Sequence, residues 1–161
     1  MAAPDVELAN AIVADMNATA RNWTQYFRAE RTWTPLWIGK DQLGDLQCIV
    51  NPWPIAEVES LSRDSTSSTY SIDFGFAKRL DDQTIEEIDN LRLLVDVAYK
   101  RYAKTNYTVA NVGTFIALRR LDEYVTFDPS RLDRSKDGNT TNYTGDFLSV
   151  FRVPYLLKAP L

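Results

Sequence analysis

Carboxylates are numerous in this sequence, and the chemistry open to pairs of them is to hold a divalent cation or to pass a proton. Asp81 and Asp82 are adjacent, as are Glu86 and Glu87. Neighbours on a helix point in different directions, so Glu86 and Glu87 cannot chelate one ion; they suit the N-terminal end of a helix dipole instead. Asp133-Arg-Ser-Lys-Asp-Gly138 superficially looks like a calcium loop, but the ligand spacing and the closing glutamate are missing. Gly39 and Gly44 lack the spacing and the Lys-Ser/Thr of a phosphate-binding loop. Histidine is absent, which excludes Ser-His-Asp and Cys-His catalysis, imidazole metal sites and the commonest general base at neutral pH. The single cysteine, Cys48, lies in the apolar run Leu46-Gln-Cys-Ile-Val50 with no base to activate it, and reads as a core thiol. No catalytic residue, metal ligand or cofactor is expected.

The elements that would position any site are easier to read. In Tyr70–Lys78, the large apolar residues Tyr70, Ile72, Phe74 and Phe76 alternate with Ser71, Asp73, Gly75 and Ala77, as in a strand with one buried face. Asp81 and Asp82 are expected to interrupt it. A helix over Thr84–Lys104 then carries Ile85, Ile88, Leu91, Leu94, Val95, Ala98, Tyr99 and Tyr102 on one stripe, with Arg92 at its margin. A first helix is expected over Val6–Arg21, capped by Asp5. Trp23–Trp33 and Leu46–Val50 read as strands, the second stopped by Asn51-Pro52-Trp53-Pro54. Tyr107–Arg119 and Leu121–Phe127 are strand-like, Asp128-Pro129-Ser130 opens a short helical turn, and Phe147–Tyr155 reads as a strand inside the sheet. Residues 57–68 form a flexible polar arm and residues 135–145 a polar loop. The expected architecture is one domain, residues 1–161, of α+β class: an antiparallel sheet of four to five strands with two main helices packed on one face.

With 161 residues, the chain can bury a substantial core. Its net charge of −4 speaks against sequence-general phosphate binding, which needs a clustered basic surface. No apolar run approaches the ~18 residues of a membrane span, and the N-terminus does not read as a signal peptide; a cytosolic or virion location is expected. The aromatics Trp23, Tyr26, Phe27, Trp33, Trp37 and Trp53 interleave with Arg21, Arg28 and Arg31. Stacking on single-stranded nucleic acid is one use of such a set, but core packing and a protein interface account for it better in an acidic chain.

The run Phe27-Arg-Ala-Glu-Arg31, then Pro35, Leu43, Asp45-Leu46, Ile49-Val50-Asn-Pro52, Arg63, Tyr70–Arg79 and Ile85–Leu94 resembles the tail-terminator (tail-completion) proteins encoded among the head–tail joining genes of tailed bacteriophages. The polar insertion Leu118–Asn142 falls outside that pattern. The resemblance implies a structural virion protein, present in the host cytoplasm during assembly. It would form a hexameric ring that caps the tail tube and joins it to a neck or head-closure protein, with genomic DNA passing through unbound and no membrane involved. Under this reading Arg31, Trp33 and Trp37, together with Arg63, Asp64 and Ser65 of the arm, are the candidate subunit or tail contacts. The alternatives are another neck or head-closure ring and, from a different class, a carboxylate- and metal-dependent enzyme.

Overall fold

The computed structural model describes residues 2–18, 21–33, 45–53, 56–62, 65–118 and 125–158. In chain order the elements are α1 (Pro4–Met16), β1 (Arg28–Arg31), β2 (Gln47–Pro52), β3 (Glu57–Ser62), β4 (Ser65–Thr84), α2 (Ile85–Tyr102), β5 (Tyr107–Val109), β6 (Gly113–Ala117), β7 (Val125–Phe127), a 3-10 turn (Pro129–Arg131), β8 (Leu132–Asp137) and β9 (Thr140–Lys158). The 20-residue β4 and 19-residue β9 organise everything else. They pair antiparallel from Ser68 opposite Leu157 to Thr84 opposite Asn142. The free edge of β4 takes β3 and then β2, while the free edge of β9 takes β6, β7 and β8 in turn. Strand β1 adds to β2, and β5 adds to β6.

This overturns the expected antiparallel sheet of four to five strands with two helices packed on one face. The protein is mostly a curled sheet, with nine strands among the described residues, and it is mixed because β1 runs parallel to β2. Parallel pairing needs a crossover of a dozen or more residues, and the intervening stretch 32–46 is long enough to supply one. The extra strands come from polar segments. Residues 135–145, expected as a loop, form the hairpin of β8 with β9, turning at Gly138-Asn139. Gly138 has φ +61 at the first central position, where a type II′ turn requires glycine. Residues 57–62 likewise pair with 65–69, as β3 against the start of β4. Such strands pair through backbone groups and bury little side chain, so they carry no alternating apolar signal.

Asp81 and Asp82 do not end the strand. They form a bulge in β4, where the register shifts between Leu80 and Gln83 and Asp82 adopts φ +60, after which pairing resumes to Thr84. Thr84 then caps α2 through a capping box with Glu87: the Glu87 N–H donates to Thr84 Oγ1 and the Thr84 N–H donates to Glu87 Oε2 at 2.7 Å. Helix α1 starts and stops earlier than the sequence suggests. Ala3, not Asp5, is its N-cap because Pro4, with its fixed φ, occupies the first helical position, and the helix ends at Met16.

One core joins these parts. Ile72, Phe74 and Phe76 of β4 and Phe151, Val153 and Tyr155 of β9 meet Ile88, Leu91, Leu94, Val95, Ala98 and Tyr102 of α2 and Leu8, Ile12 and Met16 of α1. Phe74 stacks on Phe151 at 4.7 Å and on Tyr102 at 5.1 Å between ring centroids. Ile85, expected on the buried stripe, is exposed at the first position of α2.

Candidate functional site

The chemistry-bearing side chains gather in three places, of which two are internal. In the first, Asp15 at the end of α1 accepts hydrogen bonds from Tyr102 Oη at 2.9 Å and Tyr107 Oη at 3.3 Å. It also pairs with Arg21 and faces the Arg101 guanidinium at 3.9 Å. Arg101 in turn lies 5.6 Å over the Trp23 ring, whose Nε1 donates to the Met16 carbonyl at 3.0 Å. Burial first, the neighbouring Tyr107 second and the Asp15 charge third push the Tyr102 hydroxyl well above its ordinary value; burial and Asp15 do the same to Tyr107. Both stay neutral donors. Three donors occupy the Asp15 carboxylate, the two tyrosine hydroxyls on Oδ2 and Arg21 on Oδ1, while Arg101 faces it as an ion pair without a hydrogen bond. The cluster ties the ends of both helices to β5.

The second place lies on the opposite face of the sheet. Asp73 and Arg152, directly opposite each other on β4 and β9, form a bidentate ion pair at 2.6 and 3.0 Å. The guanidinium lies 3.7 Å over the Trp53 ring. Sequence reasoning named Asp73 only as the polar side of an alternating strand. The partner is 79 residues away, and only the register reveals it.

The third place is the corner where β1 meets α1, and it is the exposed one. Asn17 donates from its side-chain amide to the Ala29 carbonyl at 2.9 Å and accepts from the Ala29 N–H at 2.8 Å. That covers both outward backbone groups at the middle of β1, so the edge is closed to strand addition there. Beyond it, Arg31 donates from Nε to Asn10 Oδ1 at 3.0 Å and lies 5.5 Å over Trp33, while its Nη1 has no partner among the described residues. Trp33 is 55% exposed and Tyr26, before the strand, is 87% exposed.

The expected contact residues are thus partly brought together. Arg31 and Trp33 form one patch. Ser65 is the first residue of β4, opposite Ser62 in the hairpin. Trp37, Arg63 and Asp64 lie outside the described residues. The other early aromatics divide: Trp23 and Phe27 pack inward, Phe27 at 5.3 Å from Phe76, while Trp53 serves the opposite face. Sequence reasoning missed Val58, Leu93 and Val97, all exposed; the signal available was an apolar residue at a position the pattern assigned to solvent.

The carboxylate pairs do not converge. Glu87 is spent on the capping box, Asp81 and Asp82 lie exposed in the bulge, and among the described residues no three metal-ligating side chains come together. Asp133 lies on strand β8 rather than in a loop. Cys48 is buried, with its Sγ 3.9 Å from Met16 Sδ, and desolvation pushes the thiol far above its ordinary range. Among known proteins, no family model matches this chain and no curated protein matches it.

Proposed function

We propose that this chain is a structural protein of the head–tail connection of a tailed bacteriophage, a tail terminator whose copies form a hexameric ring on the tail tube and contact the neck. The observation that carries this reading is the set of large apolar side chains left exposed at separate places: Tyr26 and Trp33 by β1, Val58 on the β3 hairpin, Leu93 and Val97 on α2. A ring subunit needs at least two different contact surfaces, since a head-to-tail interface joins unlike patches, and aromatic residues beside arginine are the usual anchors.

Among the described residues, those that carry the resemblance to tail terminators fall largely in β1, β2, β4 and α2. The net charge of −4 suits a channel that DNA must traverse without being held. Among the described residues, no helix is long and apolar enough to cross a membrane.

The test is the particle itself. Sedimentation should give an assembly of six times the 18.4 kDa chain, electron micrographs should show rings, and the protein should co-purify with tails. A chain that stays monomeric at high concentration and never joins virions overturns this reading. Joining capsids without tails favours the head-closure alternative, and turnover that depends on an added metal ion favours the enzyme.

A further inference from the structure

Helix α2 has two apolar faces. The inner one fills the core through Ile88, Leu91, Leu94, Val95, Ala98 and Tyr102. The outer one carries Leu93, 53% exposed, and Val97, 40% exposed, one turn apart at the middle of the helix. Going along this outer face, Glu86 and Asp89 come first, Leu93 and Val97 are central, Lys100 follows, and Lys104 stands just past the helix end. All six are exposed. A single exposed leucine is ordinary on a protein surface. The acidic start and basic finish alone are what a helix dipole favours. An apolar pair centred between them is not explained by either.

Read in reverse, the stripe complements itself. We infer that the outer face of α2 binds the same face of a second copy of this chain, with the two helices antiparallel about a two-fold axis beside Val95. In that arrangement Leu93 lies against Val97 of the second copy, and Val97 against its Leu93. Glu86 then faces Lys104 across the contact as an ion pair, Asn90 faces Lys100 as a hydrogen-bond acceptor, and each pairing occurs twice by symmetry. The helix dipoles oppose one another as well. Each side of Leu93 opens into a shallow hollow that can receive side chains of the opposing helix. One, of about 410 Å³, is lined by Gln83, Glu87 and Asn90; the other, of about 370 Å³, by Asp89, Arg92 and Phe127. Ridges of one helix entering such grooves is how helices pack. Lys100 already pairs with Asp96 of its own chain at 2.7 Å, but its side chain is 64% exposed and can bridge to a second acceptor.

The contact does not rest on the virion reading. An isologous contact closes a pair and cannot propagate a ring, so in a ring assembly it joins one ring to another. A single helix pair is smaller than the ~1,600 Å² standard interface, so the association should be micromolar.

Sedimentation equilibrium of the full chain on the order of 100 µM, well above such a dissociation constant, should give twice the mass of the assembly formed by Leu93→Glu. That variant should keep the wild-type circular dichroism and melting temperature, because Leu93 is outside the core. Glu86→Lys should weaken pairing about tenfold at low salt, and Glu86→Lys combined with Lys104→Glu should restore it. A wild-type mass no larger than that of Leu93→Glu overturns the inference. A double reversal no tighter than Glu86→Lys alone also overturns it. Single rings from Leu93→Glu where wild type gives paired rings support both readings, whereas pairs without rings support this contact and remove the ring.

Discussion

Cys48 packs against Met16 beneath α1, with only 1% of its surface reachable by solvent. Burial disfavours the thiolate, and the thiolate is the reactive form. A thiol reagent at neutral pH should therefore leave the native protein unlabelled and modify one group per chain after denaturation; fast labelling of the folded protein would place Cys48 elsewhere. Tyr102 and Tyr107 obey the same physics at alkaline pH. Both hydroxyls are raised above the ordinary 10.0 by burial and by Asp15. Their contribution to stability is complete below pH 10, where folded and unfolded chains are both protonated. It falls as pH rises beyond that, because only the unfolded chain releases the protons. Tyrosinate absorbance should show at least these two of the eight tyrosines ionising only with unfolding. Tyr107→Phe should weaken this alkaline loss without altering the rest of the profile.

Among the elements, the β4–β9 ribbon decides whether the sheet forms at all, since the seven other described strands reach it directly or through one neighbour. Phe74 lies at its centre between Phe151 and Tyr102. Phe74→Ala should cost about 3–5 kcal/mol, the range for emptying a large aromatic site, measured by denaturant unfolding. Gly145 is a second critical point, with a different cause. It has φ +99, and a Cβ there would meet the Arg131 carbonyl oxygen at 2.3 Å. Gly145→Ala should cost at least the ~1–3 kcal/mol of a strained backbone. Because that backbone lies between the 3-10 turn and the start of β8, hydrogen exchange should speed up in β8 before it does in β2. Equal protection of both strands in this variant would contradict the role given to Gly145.

For the whole molecule, the proposed ring depends on surface residues that stability does not need. Trp33 is half-exposed and contacts Arg31 rather than the core. Trp33→Ala should leave the melting temperature within about a degree, as for surface substitutions generally. It should reduce ring yield or tail joining in a complementation assay. Full assembly with Trp33→Ala would remove the β1 corner from the contact set.

How much of this was legible beforehand depended on whether a segment declares its partner. The Tyr70–Phe76 alternation and the Ile88–Tyr102 stripe do so, because one face must find apolar contact whatever the partner is; β4, α2 and the core between them follow from local pattern and hydrophobic burial. The composition likewise argued against histidine and cysteine chemistry without reference to any fold. Three things had no local signature. The polar strands β3 and β8 gain their pairing from backbone bonds to distant chain, so their side chains read as loop. The parallel addition of β1 to β2 is a property of the crossover, not of either strand. The partners of Asp15 and Asp73 lie as far as 92 and 79 positions away; helix and strand packing brings them to Asp15, and strand register brings Arg152 to Asp73. Tertiary structure alone decided which charged groups are occupied and which apolar ones are left exposed, because both depend on what lies across a gap in space rather than along the chain.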